Sequence, residues 1–180
     1  VRYYYDGILD SGKTENLSAE FEAVITTYPN KVIDGYKLDH DTAPLKITAT
    51  ASANVIDVYY VKDTFQYTVE YYYDGVKDAS KTVTDTAAYQ AVINSYTDKV
   101  IDGYKLDKVE GKPLTISSTP ANNVIRVYYV KKTFGYTIEY YYDGVKDGSK
   151  TEDKVALFGS SICTYPDKVI DGYKLDKVEG

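Results

Sequence analysis

The sequence predicts an α+β protein made of tandem copies of one small module, each running in the order ββαβββ. Three observations carry this. The chain repeats itself every 68 to 69 residues, which marks an array of like units rather than one large core. Asp-Gly pairs separate runs of aromatic and β-branched residues, a short-range hairpin signal. Once per copy, apolar residues recur at helical spacing.

The repeat is plain. Tyr3-Tyr4-Tyr5-Asp6-Gly7 returns as Tyr71-Tyr72-Tyr73-Asp74-Gly75 and as Tyr140-Tyr141-Tyr142-Asp143-Gly144. Val32-Ile33-Asp34-Gly35-Tyr36-Lys37-Leu38-Asp39 returns at 100–107 and 169–176, and Val58-Tyr59-Tyr60-Val61-Lys62 returns once, at 127–131. The modules are therefore 1–66, 67–135 and a truncated third, 136–180, which stops before the last strands.

The second copy justifies each element in turn. Residues 67–73 read as a strand, Asp74-Gly75 as the hairpin turn and 76–83 as the returning strand. Tyr89, Val92, Ile93 and Tyr96 then fall at i, i+3, i+4 and i+7, one stripe of a helix, with Asp85 or Thr86 as its cap. In the first copy the stripe is Phe21, Val24, Ile25 and Tyr28 behind Ser18. Tyr28-Pro29 in the first copy and Tyr165-Pro166 in the third end the helix, because the residue before proline avoids the α region. Asp102-Gly103 turns the chain into Tyr104-Lys105-Leu106. Leu114-Thr115-Ile116 is a short strand, 120–123 a turn and 124–131 the last strand. One helix on one face of a small mixed sheet is the expected packing.

Charges fix which strands adjoin. Glu70 on the first strand and Arg126 on the last become Arg2 and Asp57 in the first copy, so each copy keeps one charge of each sign. Opposite charges facing each other across strands stabilise by roughly 0.2–1 kcal/mol, and like charges oppose pairing. First and last strands side by side, as in a ubiquitin-like β-grasp sheet, explain the swap. Val69, Tyr71, Tyr73, Ile125, Val127 and Tyr129 then point inward, while Thr68, Glu70 and Tyr72 point outward.

Tyr-Tyr-Tyr-Asp-Gly at the start, Asp-Gly-Tyr-Lys-Leu in the middle and Val-x-Val-Tyr-Tyr-Val at the end resemble the mucin-binding-protein repeat of Gram-positive bacterial surface proteins. The β-grasp repeat of internalin-like surface proteins is similar in style. The likeness spans the first two copies and the third up to its break. It implies β-grasp-like modules on the bacterial cell surface, outside the cell, with adhesion to host mucin or another glycoprotein glycan as the expected role. A structural stalk that projects a distal binding domain is the alternative. The signal and anchor of such proteins are expected outside this stretch.

Composition narrows the chemistry. One Cys and one His cannot make a Cys/His zinc site, and a net charge of −6 without a basic run disfavours nucleic acid. No apolar run is long enough to span a bilayer. His40 becomes Lys108 and Lys177 in the other copies, so it reads as a solvated polar position. Cys163 lies off the apolar stripe and reads as an incidental thiol. The Asp/Gly turns lack the Asp-x-Asp-x-Asp-Gly spacing of a calcium loop, and a 68-residue module offers little cleft for a carboxylate pair. Neither enzyme activity nor a cofactor is expected.

What remains is the outer sheet face: Tyr72, Arg126 and Tyr128, with Tyr4 and Tyr59 in the first copy. Rings beside polar groups suit a sugar, and they equally suit a plain exposed sheet. Phe65 and Phe134 recur in the five-residue linkers and are expected to pack at module junctions, making a semi-rigid rod in which each module adds roughly 30 Å. The truncated third module, with no last strand to cover its first, is expected to be poorly ordered or to contact another chain.

Overall fold

A computed structural model describes all residues from 1 to 180 except Val32, Val100 and Val169. In the first copy the strands are β1 (Arg2–Tyr5), β2 (Ile8–Leu9), β3 (Val24–Ile25), β4 (Tyr36–Asp41), β5 (Leu45–Lys46) and β6 (Asp57–Lys62). Asp6 at φ 49° and Gly7 at φ 79° both sit in the left-handed region, as a two-residue hairpin loop between twisted strands requires. The loop joins β1 to β2 antiparallel. β1 also pairs with β6, in parallel, with Arg2 opposite Asp57 and Tyr4 opposite Tyr59. The sheet order is β2-β1-β6-β4.

The neighbours inferred from the charge swap are therefore neighbours in space. The helix is not there. Among the described residues the helical turns are three short 3-10 segments, Ala51–Ala53, Ala79–Lys81 and Pro120–Asn122. The ββαβββ, β-grasp reading is thus overturned: each copy is all β. In place of the helix, the inner face of the first sheet carries the ribbon β3–β5, which pairs Ile25 with Leu45. Ile25, Leu45 and Tyr28 pack on the buried Tyr3, Ile56, Val58 and Tyr60.

Two local facts defeat the helix. The stripe residues Tyr, Val and Ile are strand formers that lose side-chain freedom in a helix. The chain also turns through a left-handed residue in mid-stripe, Glu22 at φ 67° and Gln90 at φ 63°. In the third copy that position is Gly159, at φ 73°. The helical spacing was a coincidence of a turn followed by a two-residue strand.

Residues 26–31 then run on without regular structure, and backbone groups in such a segment need partners. Tyrosine hydroxyls supply them. Tyr3 donates to the Pro29 carbonyl at 2.6 Å and Tyr5 to the Lys31 carbonyl at 3.2 Å. The Lys31 amide donates to the Tyr60 hydroxyl at 3.1 Å, and that hydroxyl donates to Asn30 Oδ1 at 2.6 Å. Tyr28 donates to Asp41 at 2.6 Å.

The second copy comprises β7 (Thr64–Tyr73), β8 (Val76–Lys77), β9 (Val83–Ala88), β10 (Val92–Ile93), β11 (Tyr104–Glu110), β12 (Leu114–Thr115) and β13 (Val124–Lys131). The order β11-β13-β7-β8 repeats the first sheet, with β9 added along the first half of β7. The tyrosine bonds recur: Tyr73 to the Lys99 carbonyl at 3.2 Å, the Lys99 amide to Tyr129 at 3.1 Å, and Tyr129 to Asp98. The third copy has β14 (Thr133–Ile138), β15 (Tyr141–Tyr142), β16 (Val145–Lys146) and β17 (Glu152–Leu157). It keeps Tyr140 to Pro166 and Tyr142 to Lys168.

The linkers are strands. β6 ends at Lys62 and β7 begins at Thr64. Asp63 between them donates to the Gly35 carbonyl and accepts from the Tyr89 amide, at 2.9 and 2.8 Å. The chain divides into two compact units, Val1–Glu70 with Ala79–Thr97 and Val109–Arg126, and Tyr71–Asp78 with Asp98–Lys108 and Val127–Gly180.

Burial first, then the Glu15 and Tyr60 charges, push the Tyr3 phenol up to about 12; burial and Tyr60 do the same to Tyr5, both from an ordinary 10.0. The unfolded chain therefore sheds these protons first. Stability should be full below about pH 10 and fall steadily to about pH 12, read as the denaturant midpoint against pH. A midpoint flat over that window would mean these phenols titrate as in the unfolded chain.

Candidate functional site

In the first two copies the outer face of the main sheet carries a row of side chains across the strands. In the first copy β-strand register aligns Leu9, Tyr4, Tyr59 and His40. The Tyr4 and Tyr59 rings stack with centroids 4.7 Å apart, and His40 stacks on the other face of Tyr59 at 4.3 Å. His40 also holds Asp39 at 2.8 Å. In the second copy Lys77 stands opposite Tyr72, Tyr72 stacks on Tyr128 at 4.8 Å, and the Lys108 ammonium lies 4.7 Å from the Tyr128 centroid. The rings stand upright from the sheet and cover one another's faces. Solvent meets their edges, with a cationic or ionisable group closing one end.

Alongside the first row, Arg2 grips Asp57 through two bonds, Nε to Oδ1 at 2.6 Å and a second guanidinium nitrogen to Oδ2 at 2.7 Å. The hydrogen bond to Asp57 raises the Arg2 pKa further, against a smaller opposing effect of burial. Its counterpart is Arg126 with Glu70 at 3.3 Å. Arg126 is thus engaged with a carboxylate rather than offered to an anion. The arginines are about two-fifths exposed, so each pair adds little to stability.

The sequence-derived site residues come together in pairs: Tyr4 with Tyr59, Tyr72 with Tyr128, and Arg126 with Glu70. Phe65 lies 6.1 Å from the Tyr89 ring, and Phe134 lies 6.0 Å from that of Phe158. Leu9, Lys77, His40 and Lys108 belong to the rows and were not singled out as site residues. Leu9 and Lys77 were readable, since a two-residue Asp-Gly loop dictates which residues face each other. His40 was not, because β4 shifts register between Leu38 and His40.

Among the described residues no group of three or more His, Cys, Asp and Glu side chains could hold a metal. No helix among them is long and apolar enough to cross a membrane. No protein-family model matches the chain, and no curated protein is similar to it.

The swapped charge pairs make a direct test. Arg2→Glu sets two carboxylates opposite each other and should lower stability by up to about 1 kcal/mol in chemical denaturation, and adding Asp57→Arg should restore most of it, since that is the polarity of the second copy. An additive double variant would show that the two side chains do not interact.

Proposed function

We propose that this chain is a non-enzymatic repeat region of a cell-surface protein, working as a spacer that transmits tension between what lies on either side of it. The observation that carries this is the parallel pair β1–β6. The chain enters a module at Arg2, beside Asp57, and leaves at Lys62, just past the Tyr5–Tyr60 pair. Tension along the chain therefore shears the two strands against each other and strains their hydrogen bonds together. The Tyr60 hydroxyl ties the same strand to residues 30 and 31. The linker, being strand, offers little slack.

Pulling the full chain from its ends in a single-molecule force experiment should give discrete unfolding events. Each would release roughly 200 Å, the reach of about 60 residues at 3.3–3.6 Å each. Smooth extension at low force would overturn the spacer reading.

A second reading, adhesion to a mucin or other host glycoprotein glycan, is favoured by the exposed rows. It fits a ligand that meets ring edges and the flanking polar groups, because the faces of Tyr59 and Tyr128 are covered. On a glycan array, the chain should then bind at high density and lose binding in the Tyr72→Ala, Tyr128→Ala double variant. Binding that survives both substitutions would exclude this face.

A further inference from the structure

We propose that Phe21 and the Gly172–Tyr173 turn are the two open halves of one joint, each shaped to receive the complementary half of another copy of this repeat.

Among the described residues the closed joint occurs twice. In the first, the Tyr89 ring lies over Gly35 and 6.2 Å from the Tyr36 ring. A Cβ at Gly35 would come within 2.3 Å of Tyr89, so only glycine leaves room. In the second, Phe158 lies over Gly103, where a Cβ would come within 2.2 Å, and 6.4 Å from Tyr104. The same backbone bonds frame both, Tyr89 to Asp63 and Phe158 to Lys132, at 2.8 and 2.9 Å. Each joint is therefore an aromatic plug from one copy seated in the Asp-Gly-Tyr turn of the copy before it. Gly35 and Gly103 are buried.

Both open halves are built like the closed ones. Phe21 occupies the plug position, held by the Glu22 amide on the Ile47 carbonyl at 3.0 Å, as the Gln90 amide holds to Ile116 at 2.9 Å. The residue is 68% exposed. At the other end, Gly172 keeps the turn conformation, φ 83°. Tyr173 donates to Asp143 at 3.0 Å and packs edge-on to Tyr142 at 5.3 Å, as Tyr36 does with Asp6 and Tyr5 at 2.9 and 5.6 Å. Nothing lies within 4 Å of a Cβ placed on Gly172.

The plug and the socket thus keep their shape without a partner, and the partner that fits is chemically defined. It is an aromatic ring on a left-handed turn for Gly172, and an Asp-Gly-Tyr turn for Phe21. Between separate chains the contact is head-to-tail and joins unlike surfaces.

The test uses the full chain with itself. Nitrogen-15-labelled chain is mixed with unlabelled chain carrying a nitroxide on Cys163, the sole cysteine, which is exposed. Broadening of the Phe21 and Glu22 amides is expected, with concentration-dependent shifts at Gly172 and Tyr173. Both should vanish in Phe21→Ser, a substitution on the surface that leaves the fold intact. Unmoved Gly172 and Tyr173 signals up to the solubility limit would overturn the proposal. So would broadening that persists in Phe21→Ser, for instance along the Tyr4–Tyr59 row.

Discussion

The hydrogen bond from a tyrosine hydroxyl to the backbone of an unstructured segment is the interaction on which each copy depends. Residues 26–31 and 94–99 cross the inner side of the module with neither helix nor ladder to satisfy them. The peptide groups that the hydroxyls reach are partly buried, although most residues of these segments are exposed, and a peptide group taken out of water without a partner costs free energy. Tyr3, Tyr5 and Tyr60 reach that segment from the first and last strands, and Tyr73 and Tyr129 do so in the second copy. Phenylalanine would fill the same volume but could not tie the segment to the sheet through these bonds. The abundance of tyrosine, 22 residues in 180, follows from this double task of ring packing and backbone pairing.

The same residue type does different work on the two faces of a strand. Alternation puts Tyr3 and Tyr60 into the core and Tyr4 and Tyr59 outside it. Inside, the hydroxyl sets the position of a loop. Outside, rings stacked across the pair cover one another, which limits how much apolar surface an exposed sheet offers. A module of this size, with no disulfide among the described residues and no metal cluster, relies on such paired use of its few large side chains.

Much of the strand arrangement was legible. Two-residue Asp-Gly loops mark the hairpins at residues 6–7, 74–75 and 143–144, and the exchanged charges at 2 and 57 identify strands that adjoin far apart in sequence. The helix was misread because a turn at Glu22 or Gln90 imitates helical spacing. A glycine at the matching position 159 was the available sign of a left-handed turn. Of the candidate site, the tyrosine pairs were readable from register, whereas the place of His40 depended on a shift within β4 that leaves no mark on residue type.

By itself the sequence determined the period of the repeat, the turns and the partnership of first and last strands. These rest on local backbone preference and on charges that must match across a ladder. Only the tertiary structure decided what covers the inner face, which way the outer rings turn, and where the hydroxyls go. Those outcomes depend on backbone groups distant in sequence, such as Tyr5 with Lys31 or Tyr89 with Gly35. No periodicity records which of them lacks a partner until the chain has closed around it.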